Sequence, residues 1–213
     1  VVAPRLEAAG EAAAALAASH GLGGRRVLLY VGRLAPEKRV DRLVDAMGRL
    51  AAGFPDLTLA LVGAGPERAR LEALAAKVAP GRVVFAGRQE GLVLAAWYRL
   101  GGVFALASRH EPFGAVVNEA LLAGLPVVCS DRAGARTLVA AGQNGEVVDA
   151  GAPARLDAAL SAWLKGAPRI PASGAPSPRP SRMVTTFDEA VEGWMAALAA
   201  ARARRAAPGR CAA

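Results

Sequence analysis

Residues 103–130 read VFALASRHEPFGAVVNEALLAGLPVVCS, and this stretch decides the fold. VFALAS (103–108) is an apolar run of strand length, GAVVNEALLAG (114–124) is a helix bounded by glycines, and PVVCS (126–130) is a second apolar strand. Two strands that are apolar throughout, joined by a helix, predict a parallel pair buried on both faces.

The same alternation extends outward. Upstream, VLLYVG (27–32), LTLALVG (57–63) and RVVFAG (82–87) read as strands. They are separated by helices at VDRLVDAMGRLAAGF (40–54), at 66–79 and at GLVLAAWYRL (91–100). In the first of these helices Val40, Leu43, Val44, Met47 and Leu50 share one face. Downstream come a short helix near 134–141, the strand EVVDA (146–150) and the helix APARLDAALSAWL (152–164). Right-handed crossovers make this an α/β fold, a doubly wound, Rossmann-like parallel sheet over residues 27–164.

The flanks read differently. Residues 1–26 form an Ala-rich helical lead-in, an interdomain segment ended by Gly21, Gly23 and Gly24. Residues 165–185 read as a linker, because the 166–182 stretch holds five prolines and little that could pack. A last helix is expected over 186–206, with Phe187, Val191, Trp194, Met195 and Leu198 as its apolar stripe, followed by a disordered tail at 207–213.

Composition narrows the function. With 54% hydrophobic and 21% charged residues, the 213-residue chain can bury a core. No apolar run approaches the roughly 20 residues of a membrane span, and the N-terminus carries acids and an Arg where a secretory leader needs apolar residues. A cytoplasmic setting is the expectation. Residues 165–213 hold 8 of the 26 basic and 3 of the 18 acidic residues, so they carry +5 of the net +8. The body at +3 is too mildly basic for a nucleic-acid-binding face. Arg202, Arg204, Arg205 and Arg210 read as a solvated helix end, with peripheral contact to anionic membrane lipid as the alternative. Cys129, Cys211 and two histidines give no metal-ligand spacing, and no Asp-x-Asp is present to hold a divalent cation.

In a doubly wound sheet the ligand lies outside the carboxyl ends of the strands, which selects the loops at 32–38, 63–68, 87–91, 108–114 and 130–135. Glu111 precedes the helix that starts near Gly114, and Glu119 lies five residues in, about 7.5 Å along the axis. The helix N-terminus suits phosphate, whereas carboxylates suit vicinal hydroxyls. One acid before the helix and one on its second turn fit a molecule with sugar at both ends and phosphate between them, which describes a nucleotide sugar. Gly114 admits the ligand to the backbone without a Cβ in the way. Arg33 and Lys38, leaving the first strand together, supply a clamp for a diphosphate.

These motifs resemble the donor-binding, C-terminal half of retaining GT-B glycosyltransferases. YVGRLAPEKRVDRLVDA, LALVGAGPERARLEALA, RVVFAGR and EPFGAVVNEALLAGLPVVCSDRAGA carry the resemblance over residues 27–164, and it is nearest to glycosyltransferase family four, the glycosyl transferases group one. The Glu-x7-Glu element, Glu111 to Glu119, is its most specific part. The resemblance implies that Gly32, Arg33 and Lys38 meet the diphosphate and that Glu119 takes the ribose. It also implies that Glu111, with backbone around Pro112, Phe113, Gly114, Ala115 and Val116, holds the donor hexose, and that Gly87 and Arg88 lie by the base. Glu111, Arg33 and Lys38 would carry catalysis, with retention of configuration, the donor phosphate as base, no metal and no cofactor beyond the nucleotide-diphospho-sugar substrate. The implied partner is an N-terminal acceptor domain, in cis or in trans, which has no counterpart in these 213 residues. Without it this chain is expected to be inactive or weakly active.

Two departures are Ala64, where the family has a polar residue in GxGPE, and Ala107, where it has Pro. Alternatives to a transferase are a non-catalytic nucleotide-sugar-binding or regulatory module, or a GT-B epimerase or phosphorylase. Several residues have plainer readings: GAGPER (63–68) as a tight turn into a helix, His110 as an exposed loop residue, Cys129 as a small core residue, and Trp97, Tyr98, Trp163 and Trp194 as core packing.

Overall fold

The computed structural model describes residues 2–184. The helix expected over 186–206, the tail at 207–213, Trp194, Cys211 and the four arginines from Arg202 to Arg210 lie outside the described residues.

Six parallel strands make one sheet: β1 (Arg26–Val31), β2 (Leu57–Val62), β3 (Val83–Gly87), β4 (Val103–Leu106), β5 (Val127–Ser130) and β6 (Gly145–Val148). Their order is β3-β2-β1-β4-β5-β6, and every neighbouring pair is parallel. The order reverses between β1 and β4, which places a ligand crevice at their carboxyl ends. Every residue of β2, β4 and β5 is buried, as uniformly apolar strands require. The edge strand β3 is only half-buried.

Helices cover both faces. α3 (Val40–Leu50) packs against α4 (Arg68–Val78) and α7 (Pro153–Lys165) on one side. On the other, α5 (Gly91–Leu100) packs against α1 (Val2–Ala8) and α2 (Gly10–Ser19), and α6 (Ala115–Leu122) sits over β4 and β5. With few aromatics, the core relies on Leu, Val and Ala around Tyr30, Trp97, Tyr98 and Phe104, all buried.

The boundaries shift where local chemistry dictates. α3 ends at Leu50 instead of residue 54, since Gly53 and the residue before Pro55 both disfavour continuation. The short helix near 134–141 is a 3-10 turn over Gly134–Leu138.

Both flanks pack against the sheet and its helices. The lead-in breaks at Ala9 into two helices, and Leu6, Ala9, Ala13 and Ala17 join the core. The Pro-rich stretch does pack, up to Met183, as part of the same compact unit. Ala167 and Ile170 are buried, and Ile170 exchanges backbone hydrogen bonds with Gly24 and Arg25. Arg179 Nη2 then donates to the carbonyls of Tyr98, Arg99 and Gly101, and Arg182 donates to those of Gly124 and Gln143. The last carbonyls of a helix have no partner within it. Arginines on a strap that cannot itself form a helix supply those partners for α5 and for the turn after α6. Arg182 also lies over the half-buried Trp163 ring, 5.9 Å from its centroid.

Candidate functional site

The loop after β1 is built on Tyr30. Its buried hydroxyl donates to the Arg33 carbonyl at 2.8 Å. Burial first, and then the Glu111 and Glu37 carboxylates, push the phenol pKa up, so the group stays a donor. A Cβ on Gly32 would lie 2.8 Å from that hydroxyl, so the chain can turn here only as glycine. The loop after β2 presses against it: a Cβ on Gly63 would come within 1.8 Å of the Gly32 carbonyl oxygen, and one on Gly65 within 2.2 Å of that of Leu34.

This close approach shapes a cavity of about 510 Å³ at the carboxyl ends of β1, β2 and β3, lined by Gly32, Arg33, Gly63, Ala64, Gly65, Arg88 and Gln89 among others. The volume lies within the about 300–1,000 Å³ of small-molecule sites. Arg33 is exposed and has no ion-pair partner among the described residues. Arg88 pairs with Glu90 at 2.6 Å, but the two side chains are 80% and 73% exposed, so an incoming anion can displace the carboxylate at little cost. Gly87 does not line the cavity. Its φ of +70° turns the chain into the wall, and its carbonyl accepts from the Gly63 N–H at 2.8 Å.

A second cluster lies on the other side of the loop. Lys38 Nζ and Glu111 Oε2 form an ion pair at 2.5 Å, and the Arg109 N–H donates to the Glu37 carbonyl at 2.8 Å. Lys38 is thus paired with Glu111, whereas Arg33 faces the cavity on the other side of the loop. Glu111 is held from behind by the 130–135 loop, accepting from the Gly134 N–H and donating to the Arg132 carbonyl. Gly134 has to be small, since a Cβ there would lie 2.1 Å from the Pro112 carbonyl oxygen.

Gly114, with φ of +80°, caps α6, and its Cβ position would crowd Ala135 and Glu111. Ala115 and Val116 form the first turn, whose N–H groups have no intrahelical acceptor. Phe113 is 83% exposed and His110 is exposed as well. Glu119, half-buried on α6, accepts a hydrogen bond from the Tyr98 hydroxyl at 2.7 Å.

The structure thus brings Gly32, Arg33 and Arg88 around one cavity and Lys38, Glu111 and Gly114 into a neighbouring cluster, while Glu119 bonds to neither directly. Sequence reading selected the 63–68 and 87–91 loops without assigning a part to Gly63, Gly65 or Gln89, and it gave Tyr98 none. The GAGPER stretch is the tight turn expected, with α4 starting at Arg68, yet it also walls the cavity. Its pair of glycines was the available signal. Gln89 adjoins Arg88 and carried no signal. Tyr98 packs in the core as expected, and only its hydroxyl reaches the site. Cys129 is a core residue, and burial pushes its thiol up to about 12, with Arg136 opposing and Asp131 adding.

The doubly wound sheet is Rossmann-like, and the solved structures it resembles are glycosyltransferases of the GT-B fold. Anabaena HepE, solved with UDP and glucose, superposes with a TM-score of 0.66 at 27% identity, over 73% of this chain and 43% of that one. The chain belongs to the glycosyl transferases group 1 family, whose model matches residues 14–172.

A GDP-mannose-dependent alpha-mannosyltransferase of Mycolicibacterium smegmatis is 40% identical over 126 residues, 59% of this chain and 31% of that protein. A D-inositol 3-phosphate glycosyltransferase of Geodermatophilus obscurus is 35% identical over 195 residues, 86% of this chain and 43% of that protein. The chain therefore spans less than half the length of these relatives. No helix among the described residues is long and apolar enough to cross a membrane.

Proposed function

We propose that this chain is the donor-binding domain of a glycosyltransferase that moves a hexosyl group from a nucleotide-diphospho-sugar to an acceptor, with retention of anomeric configuration and without a metal ion. The observation that carries this reading is the cavity of about 510 Å³ lined by Arg33, Arg88 and glycine backbone, joined through one loop to the Lys38–Glu111 pair.

In this reading Arg33 and Lys38 neutralise the diphosphate as the glycosidic bond breaks, aided by the positive end of α6. Glu111 and the backbone from Pro112 to Val116 hold hexose hydroxyls. Glu119 accepts from the ribose, and Gly87 and Arg88 flank the base. Oxygen of the departing phosphate takes the acceptor proton on the face it leaves, which retains the configuration. The acceptor enters from a separate acceptor-binding domain, in cis or in trans. Coverage of 31% and 43% of the relatives' lengths supports that division of labour. In this reading the reaction takes place in the cytoplasm.

The test is calorimetry against UDP, GDP and ADP and their hexose conjugates, beginning with GDP-mannose, which a relative's name carries, and UDP-glucose, chosen because HepE was solved with UDP and glucose. Micromolar binding to one series, weakened at least tenfold by Glu119→Ala, is the expected result. No binding across the panel overturns the reading. Transfer should then appear only when an acceptor-binding domain is supplied.

A further inference from the structure

Tyr98 sits outside the loops that form the site, on α5, and is buried. Three contacts fix it. Its ring lies 6.3 Å from that of Phe104 on β4, its carbonyl accepts from Arg179 of the strap at 3.3 Å, and its hydroxyl donates to Glu119 Oε2 at 2.7 Å. A buried tyrosine needs a partner for its hydroxyl. This one uses a carboxylate that reaches solvent from a different helix.

We propose that Tyr98 is a positioning residue for nucleotide recognition: its phenol holds one oxygen of Glu119, so that the other oxygen and the remaining lone pairs face a vicinal pair of ribose hydroxyls. The inference rests on the reading in which Glu119 takes the ribose.

A glutamate side chain rotates freely about three bonds, and a ligand that must order it loses affinity for doing so. A phenol anchored at its ring and at its backbone removes that freedom before the ligand arrives. Burial first, and then Glu119 itself, push the phenol pKa well up, so Tyr98 remains a donor at any working pH. A phenol also takes only one of about four carboxylate acceptor positions, which leaves the others for hydroxyl donors.

The experiment compares wild type and Tyr98→Phe by calorimetry, using the best-binding nucleoside diphosphate of the panel and its 2′,3′-dideoxy counterpart. The change removes one oxygen atom and keeps the buried ring, and a melting curve reads the fold separately. Wild type should prefer the ribonucleotide. Tyr98→Phe should bind it about tenfold more weakly, in line with the loss of an outer partner that orients a binding group, and should bind the dideoxy form within twofold of wild type.

Equal weakening toward both nucleotides makes Tyr98 merely structural and overturns the proposal, as does an undiminished preference for ribose in Tyr98→Phe. In a Glu119→Ala background, Tyr98→Phe should leave the ribose preference untouched, because the residue acts through Glu119. A further change there also refutes the proposal. Wild type that binds nucleotide without any ribose preference overturns the role of Glu119 itself, and the proposal with it.

Discussion

Lys38 Nζ lies 2.5 Å from Glu111 Oε2, and this ion pair ties the loop after β1 to the loop after β4 at the point where the strand order reverses. Both side chains are mostly shielded, at 17% and 14% exposure. Removing one partner therefore leaves a charge in a poor solvent. Lys38→Ala should destabilise the fold by an amount between the about 0–1 kcal/mol of exposed pairs and the about 3–5 kcal/mol of buried ones. Adding Glu111→Gln should recover most of the melting temperature while leaving nucleotide binding impaired. A single variant that melts like wild type refutes the argument.

Arg33 and Arg88 line the cavity with exposed guanidinium groups, so their replacement touches binding and not the core. Arg33→Ala should weaken nucleoside diphosphate binding about tenfold, with a shallower dependence on salt, and leave the melting temperature unchanged. A nucleoside monophosphate should lose less. Equal losses for the two ligands, read by calorimetry at two salt concentrations, would remove Arg33 from the diphosphate.

Two glycine replacements separate backbone strain alone from strain combined with crowding. Gly63→Ala drives a methyl to within 1.8 Å of the Gly32 carbonyl oxygen, and should cost about 3 kcal/mol or more as well as deform the cavity wall. Gly21→Ala, at φ of +60° with nothing within 4 Å, should cost only the about 1–2 kcal/mol of a left-handed alanine. Urea denaturation checks the order, which must not invert.

Arg179 serves three carbonyls at once, those of Tyr98, Arg99 and Gly101. Arg179→Leu strands them without donors and should cost about 2–4 kcal/mol, given about 1.5–3 kcal/mol for a hydrogen bond to a charged group. Arg179→Lys should rescue only part of this, because an ammonium lacks the planar fork. Full rescue by lysine would reduce the strap to a matter of charge.

Burial holds the Cys129 thiol up near 12 against an ordinary 9.0, so the folded chain keeps a proton that the unfolded chain releases. Its contribution to stability is complete below pH 9 and is lost as pH rises toward 12, at up to about 1.4 kcal/mol per unit. Tyr30 and Tyr98, also raised, add the same sign of slope above pH 10. In a Cys211→Ser background, iodoacetamide at pH 8.5 should modify Cys129 only as fast as the chain unfolds, and Cys129→Ala should flatten the decline between pH 9 and 11. Rapid alkylation of the folded protein contradicts the burial argument.

The strands were legible because β2, β4 and β5 are buried on both faces, which forbids polar alternation and leaves plain apolar runs. Gly114 was legible because a glycine just before a helix marks a backbone that others cannot adopt. The strap was not legible. Arg179 finds its acceptor at Gly101, 78 residues earlier, and a proline-rich composition says nothing about distant carbonyls. The 63–68 loop was legible as a ligand loop, but the close approach of Gly63 and Gly65 was not, since the atoms that exclude a side chain there belong to Gly32 and Leu34.

The sequence by itself determined the doubly wound sheet, the loops that can hold a ligand, and Arg33, Lys38, Glu111 and Glu119 as the chemistry to examine. Periodicity, glycine placement and charge are local properties, and a parallel sheet leaves its mark in them. Only the tertiary structure decided how those residues are placed: Lys38 paired with Glu111, Glu119 with Tyr98, and Arg33 at one cavity with Arg88. Each pairing depends on the crossing of strands and helices far apart in the chain, where geometry, and not composition, sets which atoms meet.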